Sequence, residues 1–281
     1  MGTMDSENKN LVLILLVLAL FTGMAVEVSE GSTVVGVILF LISIFLLTQI
    51  NFKHLGNSGL LKKSKTYFVI GVFIVSADLY YNFKNGGELG TLDVMTLFFG
   101  ASLIGTQLQN PQIARVSKFG AYISSVFVVL YLIFYSMFAF LNIDFLHKFD
   151  HYMILLPTVK IIGLMGIPLE VIATETVRIS GVEEMTMVIG GPCSGLYSMF
   201  LLIGIVFGYS QIEKMDFNRT FMMLGFCVAV AYISNLFRVI VLYLTAYYYG
   251  EETMMLVHTH IGWIIFAGVA AGIMYFIELK R

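Results

Sequence analysis

Three residue types in the last third of the chain combine into a recognisable chemistry: a thiol at Cys193, a permanent cation at Arg238 and an imidazole at His258 or His260. Cys193 stands in Gly190-Gly191-Pro192-Cys193-Ser194-Gly195, directly ahead of an apolar run. Gly-Gly-Pro cannot continue a helix, so the thiol is expected at a helix start. Unpaired backbone N–H groups and the positive end of the helix dipole favour thiolate there and activate the sulfur. Gly195 removes a side chain nearby, so another backbone or a substrate can approach. The competing reading of Cys193 is a small buried apolar residue. Cys227, mid-run and without such surroundings, is assigned to packing. The two cysteines are expected at different depths and not as a disulfide.

Arg238 lies inside an apolar run in a chain that is only 12% charged. Its guanidinium keeps its proton, so inside a membrane it must face a partner or water. A structural arginine snorkelling to headgroups or pairing with a loop carboxylate is the alternative. Asn235, one helical turn earlier, shares its face and favours a site. His258 and His260 sit in Val257-His258-Thr259-His260-Ile261-Gly262-Trp263, with the right basicity for proton transfer near neutrality. An H-x-H pair also suits a metal, but no third and fourth ligand follow at metal spacing. Neither a metal nor another cofactor is expected. Thiolate attack on a carbonyl, a histidine carrying the proton and an arginine steadying the oxyanion together suit acyl transfer.

These residues need a scaffold, and composition sets its class. Of 281 residues, 58% are hydrophobic, and mean hydropathy is +0.89. Soluble domains are about 45–50% apolar and about 25% charged, so a water-soluble globule is excluded. A net charge of -2 gives no reason to invoke nucleic acid. Eight apolar runs cover approximately Leu11–Val26, Thr33–Ile50, Thr66–Tyr81, Leu92–Thr106, Phe119–Leu141, Ser194–Tyr209, Thr220–Tyr248 and Ile261–Leu279. With the N-terminus inside, 11 of the 16 basic residues fall on cytoplasmic segments and 4 outside, with Arg238 within a span. The fold class expected is an all-α membrane protein of about eight helices with both termini cytoplasmic. It is organised as a five-helix part over 1–141, an extracytoplasmic cap over 142–192 and a three-helix catalytic part over 193–281.

The cap is the one long connection, and long connections without a purpose are uncommon. Val177, Ile179, Val182, Met185, Met187 and Ile189 alternate with Arg178, Ser180, Glu184 and Thr186, which suggests one or two short strands. Thr158–Met165 suits a helix lying in the interface. Arg238 is 18 residues into its run, about 27 Å at 1.5 Å per residue, and so belongs to the outer leaflet. Cys193, Arg238 and the two histidines, placed just before the last run, therefore gather at the outer face of three consecutive spans.

At these residues the sequence resembles the exosortase/archaeosortase family of membrane transpeptidases. The matching pieces are Pro192-Cys193-Ser194-Gly195-Leu196, Asn235-Leu236-Phe237-Arg238-Val239, and His258 with Gly262-Trp263, in that order. The resemblance covers about residues 163–276; the earlier spans match only as generic apolar helices. It implies a cysteine transpeptidase of the cell membrane that cleaves a C-terminal sorting signal, made of a short motif, a transmembrane helix and a basic tail. The clipped protein then passes to a lipid or similar acceptor. Cys193 would form the acyl-thioester and Arg238 would be the second essential residue, supported by Ser194, Gly195 and Asn235. His258, aligned by Gly262-Trp263, is preferred to His260 as the third. An archaeosortase is favoured, because the chain lacks the length and extra domain of many bacterial exosortases. Two other classes compete. A transporter or channel would use Arg238 with Asp78 or Asp93, but no internal repeat or midplane cluster supports it. A structural subunit would use Arg238 only to pair helices.

Overall fold

A computed structural model describes residues 64–84, 90–189, 195–212 and 214–279, together with Val17, Ile38 and Ile42. The expected runs Leu11–Val26 and Thr33–Ile50 lie outside the described residues apart from those three. The other six expected runs coincide with helices. These are α1 (Lys65–Lys84), α2 (Thr91–Gly105), α3 (Pro111–Tyr131, carried on through a π-helical turn at Leu132–Met137 to Phe140), α6 (Leu196–Ile212) and the run Phe217–Leu279. Between α3 and α6 come α4 (Phe145–Phe149), a π-helical turn Asp150–Leu155, and α5 (Leu156–Leu164). Three strands follow: β1 (Leu169–Ala173), β2 (Thr176–Ser180) and β3 (Glu184–Val188).

Among the described residues, three helices are long and apolar enough to cross a membrane: Lys65–Lys84, Val116–Phe140 and Phe217–Gly262. On α1, Phe73 is 71% and Phe83 90% exposed, and only Gly71 and Asn82 are buried. A surface with such side chains is stable against hydrocarbon and not against water.

The run Phe217–Leu279 is two helices. It breaks only at Gly250, whose φ of 82° and ψ of -176° no L-residue adopts without strain. We call the arm before Gly250 α7 and the arm after it α8. Gly262, twelve residues beyond the break, lies against Arg238, twelve before it: a Cβ at Gly262 would stand 3.3 Å from the arginine Nη1. The arms thus return antiparallel through a single residue. This corrects one expectation, since the last helix begins at Glu251 and both histidines stand on it instead of ahead of it.

Among the described residues the cap carries three strands, one more than the sequence alternation suggested. They form an antiparallel sheet in the order β1-β2-β3, with Ile179 opposite Leu169 on one side and Met185 on the other. Val177, Ile179, Met185, Met187 and Ile189 face inward as expected. Val182 does not: it is 68% exposed, in the turn between β2 and β3. The sheet's inner face joins Ile154, Leu155 and Ile162 and the α7–α8 residues Val239, Tyr243, Ala246 and Met254 in one core. The helix expected at Thr158–Met165 is α5, which buries Thr158 and Ile162 while Leu164 is 83% exposed.

The chain divides into two compact units. One holds the cap and the α7–α8 hairpin, within residues 144–196 and 229–281. The other holds α1, α2, α3 and the chain 197–228. Cys227 belongs to the second and is a fully buried free thiol.

Candidate active site

The site is built on α7. Its inward stripe, Asn235, Val239, Leu242, Tyr243 and Ala246, follows helical spacing and is buried throughout. The upper residues of that stripe meet the cap. At its lower end the stripe turns polar, with Asn235 buried and Arg238 half-buried.

Each of these two side chains is received by a glycine. Gly195, buried and with φ of 80°, lies so close to the Asn235 carboxamide that a Cβ there would collide with it. Gly262 on α8 lies against the Arg238 guanidinium. The room that the sequence allots to a backbone or substrate at Gly195 is therefore filled by Asn235. The polar pair of α7 reaches the segment ahead of α6 on one side and α8 on the other.

Two of the sequence-predicted site residues, Cys193 and Ser194, lie outside the described residues. Gly195, two residues after Cys193, is the nearest described position of that segment. His258 is one turn before Gly262 and shares its face with buried Met254. His260, two positions on, is turned about 200° around the helix and is exposed. The arrangement therefore gathers Gly195, Asn235, Arg238, Gly262 and the His258 face of α8, and leaves His260 out. Among the described residues, no group of three or more His, Cys, Asp and Glu side chains is placed to hold a metal ion.

One turn of the cap holds the helical hairpin, and the other is held within the cap. At the β2–β3 turn, the Val182 N–H donates to the Tyr247 carbonyl at 3.0 Å, and the Glu251 N–H donates to the Glu183 carboxylate at 3.4 Å. The turn so satisfies one of the last carbonyls of α7 and the first amide of α8, groups that a helix leaves without internal partners. At the β1–β2 turn, His147 donates to the Glu175 carboxylate and His151 donates through Nδ1 to the Thr174 carbonyl at 2.6 Å. The hydrogen bond from His147 to Glu175, and the carboxylate's charge, hold that imidazole's pKa above its ordinary 6.5. Tyr232 on α7 closes the frame, its hydroxyl donating to the Met153 carbonyl at 2.8 Å within the π-helical turn. Pro157, four residues on, has no N–H to give that carbonyl.

Sequence reasoning missed Glu183, Gly250 and the two cap histidines. One signal for the hairpin was present: Arg238 and Gly262 are equidistant from Gly250. The cap histidines gave a weaker one, an i, i+4 spacing on one helical face.

Residues 6–275 match the family model described as transmembrane exosortase. No curated protein and no solved structure matches the chain.

Proposed function

Because the chain belongs to the transmembrane exosortase family, a family of membrane cysteine peptidases/transpeptidases acting on C-terminal sorting signals, we propose that Cys193, Arg238 and His258 are its catalytic residues, working at the extracytoplasmic face. The observation that carries this reading is the Asn235–Arg238 pair. Its two head groups meet Gly195, two residues from Cys193, and Gly262, one helical turn from His258.

In the proposed reaction the Cys193 thiolate attacks the carbonyl carbon of the scissile peptide. The oxyanion that forms is met by the Arg238 guanidinium, a donor that stays charged throughout. His258 then gives a proton to the departing amine, the C–N bond breaks, and a thioester to Cys193 remains. An amine or hydroxyl acceptor, which we take to be a membrane lipid, attacks the thioester while His258 removes its proton, and the thiolate leaves. Asn235 positions Arg238 and the segment that carries the cysteine. Ser194 is assigned to support of the nucleophile, and His260 takes no part.

The test is processing of a co-expressed surface protein that carries its C-terminal sorting signal. Cys193→Ala is expected to reduce cleavage to background, and Arg238→Ala to slow it on the order of 100-fold or more. Cys227→Ala is expected to leave it intact. Normal processing by Cys193→Ala would sink the reading. The transport alternative is not favoured by the family, and flux in proteoliposomes that survives loss of Cys193 is what would revive it.

A further inference from the structure

The two outer edges of the cap sheet differ in a way that points to a docking strand. The edge of β1 is guarded: a bulge interrupts it between Val171 and Ala173. A bulge is one of the usual means of blunting an edge. The edge of β3 has neither bulge nor proline. Its one charged residue, Glu184, stands at the strand's start and lies 3.8 Å from the Arg178 guanidinium, on the β2 side.

The register shows which groups this edge offers. Ile189 donates to the Glu175 carbonyl at 2.7 Å, and Gly181 donates to the Glu183 carbonyl at 3.2 Å. Hydrogen-bonded pairs alternate along an antiparallel ladder, so residues 183, 185, 187 and 189 turn their backbone groups toward β2. Glu184, Thr186 and Val188 turn theirs outward, and their side chains are exposed. That row of donors and acceptors suits one extended segment of about five residues.

Direction singles out the occupant. The turn ahead of β3 is bound at the apex of the helical hairpin, by Tyr247 and Glu251. Six residues after Ile189, Gly195 lies against Asn235, about 18 Å further down α7 from residue 247. β3 thus runs down the hairpin toward the Asn235–Arg238 pair, and the chain reaches Cys193 five residues after Val188. A sorting signal in which the motif precedes a membrane helix must run the same way, entering from outside and ending in the bilayer.

We propose that the substrate's motif binds as a fourth strand, parallel to β3 and paired with the outward backbone groups of Glu184, Thr186 and Val188. Strand addition of this kind draws affinity from the main chain and leaves specificity to alternate side chains. Here one set of substrate side chains lies level with Glu184, Thr186 and Val188, and the other level with Met185 and Met187. The proposal rests on the catalytic assignment above, since it supplies the path to Cys193.

Proline at position 186 removes an outward N–H and fills the edge, while the ladder bonds of 185 and 187 to β2 remain. Thr186→Pro is expected to slow processing of the co-expressed surface protein on the order of 100-fold, with iodoacetamide alkylation of Cys193 unchanged. Ile172→Pro, at the bulge of β1, is expected to leave processing within about threefold. Processing by Thr186→Pro within threefold of the parent, or an equal loss from Ile172→Pro, overturns the proposal. If Thr186→Pro fails to fold, cross-linking decides. In a Cys193→Ala/Cys227→Ala background, Thr186→Cys is paired with single cysteines walked along the motif. Disulfides at every second motif position are expected, and none, or equal yields at all positions, overturn it. Failure of the catalytic assignment would read differently, as normal processing by Cys193→Ala.

Discussion

In the unit built on α1, α2 and α3, Gly71 and Gly100 face each other, and a Cβ on Gly71 would stand 2.7 Å from the Gly100 carbonyl oxygen. In the unit that carries the cap, Gly195 and Gly262 face the Asn235 amide and the Arg238 guanidinium. The residue type is the same, and at Gly71 and Gly195 a Cβ would collide outright. What differs is the chemistry on the other side. In the first unit the missing side chain lets backbone meet backbone, which is how membrane helices gain packing where water supplies no driving force. In the second it lets two polar head groups lie between neighbouring segments. A close-approach glycine is therefore a packing device or a site device according to what it receives, and the two uses separate under substitution.

The largest effect is expected at Gly195. Alanine there must hold a left-handed backbone, which costs about 1–2 kcal/mol, and must also displace the Asn235 amide. Gly195→Ala is expected to bring sorting-signal cleavage to background in a membrane processing assay. Gly262→Ala is gentler, since its Cβ would meet the Arg238 Nη1 at 3.3 Å and the guanidinium can yield by a few tenths of an ångström. Displacement of that size is expected to lower turnover about tenfold with little change in melting temperature, because catalysis is more sensitive than stability to small misplacement. Gly71→Ala should do the opposite. Overpacking against the Gly100 carbonyl is expected to cost about 1–3 kcal/mol, seen as a lower Tm in detergent, with turnover per folded molecule unchanged. If Gly262→Ala lowers Tm and spares turnover, or Gly71→Ala does the reverse, the distinction fails.

The smallest effect concerns the cap's two turns. One is tied to helix ends by backbone and carboxylate groups, the other by imidazoles. His147 has its pKa raised by Glu175, so its contribution is fully present below about pH 6.5 and is lost as pH rises through the higher folded-state value. Amide exchange in the Thr174–Glu175 turn is expected to speed up only a few-fold on passing to alkaline pH, beyond the intrinsic rise, because the His147 side of the pair is mostly exposed. His147→Ala should abolish that extra step. The Gly181–Glu183 turn should show no corresponding step.

Much of this was legible in the sequence because apolar runs report helices directly. The runs at Thr66–Tyr81, Phe119–Leu141 and Thr220–Tyr248 needed only length and composition. The cap was harder. β2 and β3 alternate and could be read, but four of the five residues of β1 are exposed, so it carries no alternation. Val182 fitted the pattern by type and fell in a turn. The break at Gly250 looked like a loop because Glu251, Glu252 and Thr253 are polar; in the fold they are the first turn of α8. Asn235 and Arg238 stood out because charge and amide are costly in hydrocarbon. Gly262 was legible only as part of a resemblance, since its reason is the side chain of a residue twenty-four positions earlier.

The central claim is that Cys193 forms the covalent intermediate beside Arg238. The most direct measurement is to stop processing of a surface-protein substrate by acid quench and map the adduct by mass spectrometry. A thioester between the substrate's new C-terminus and Cys193 is predicted in the parent chain, with its yield sharply reduced in Arg238→Ala and no adduct in Cys193→Ala. Cleaved substrate accumulating with Cys193 unmodified throughout, or an adduct on Cys227, would contradict it.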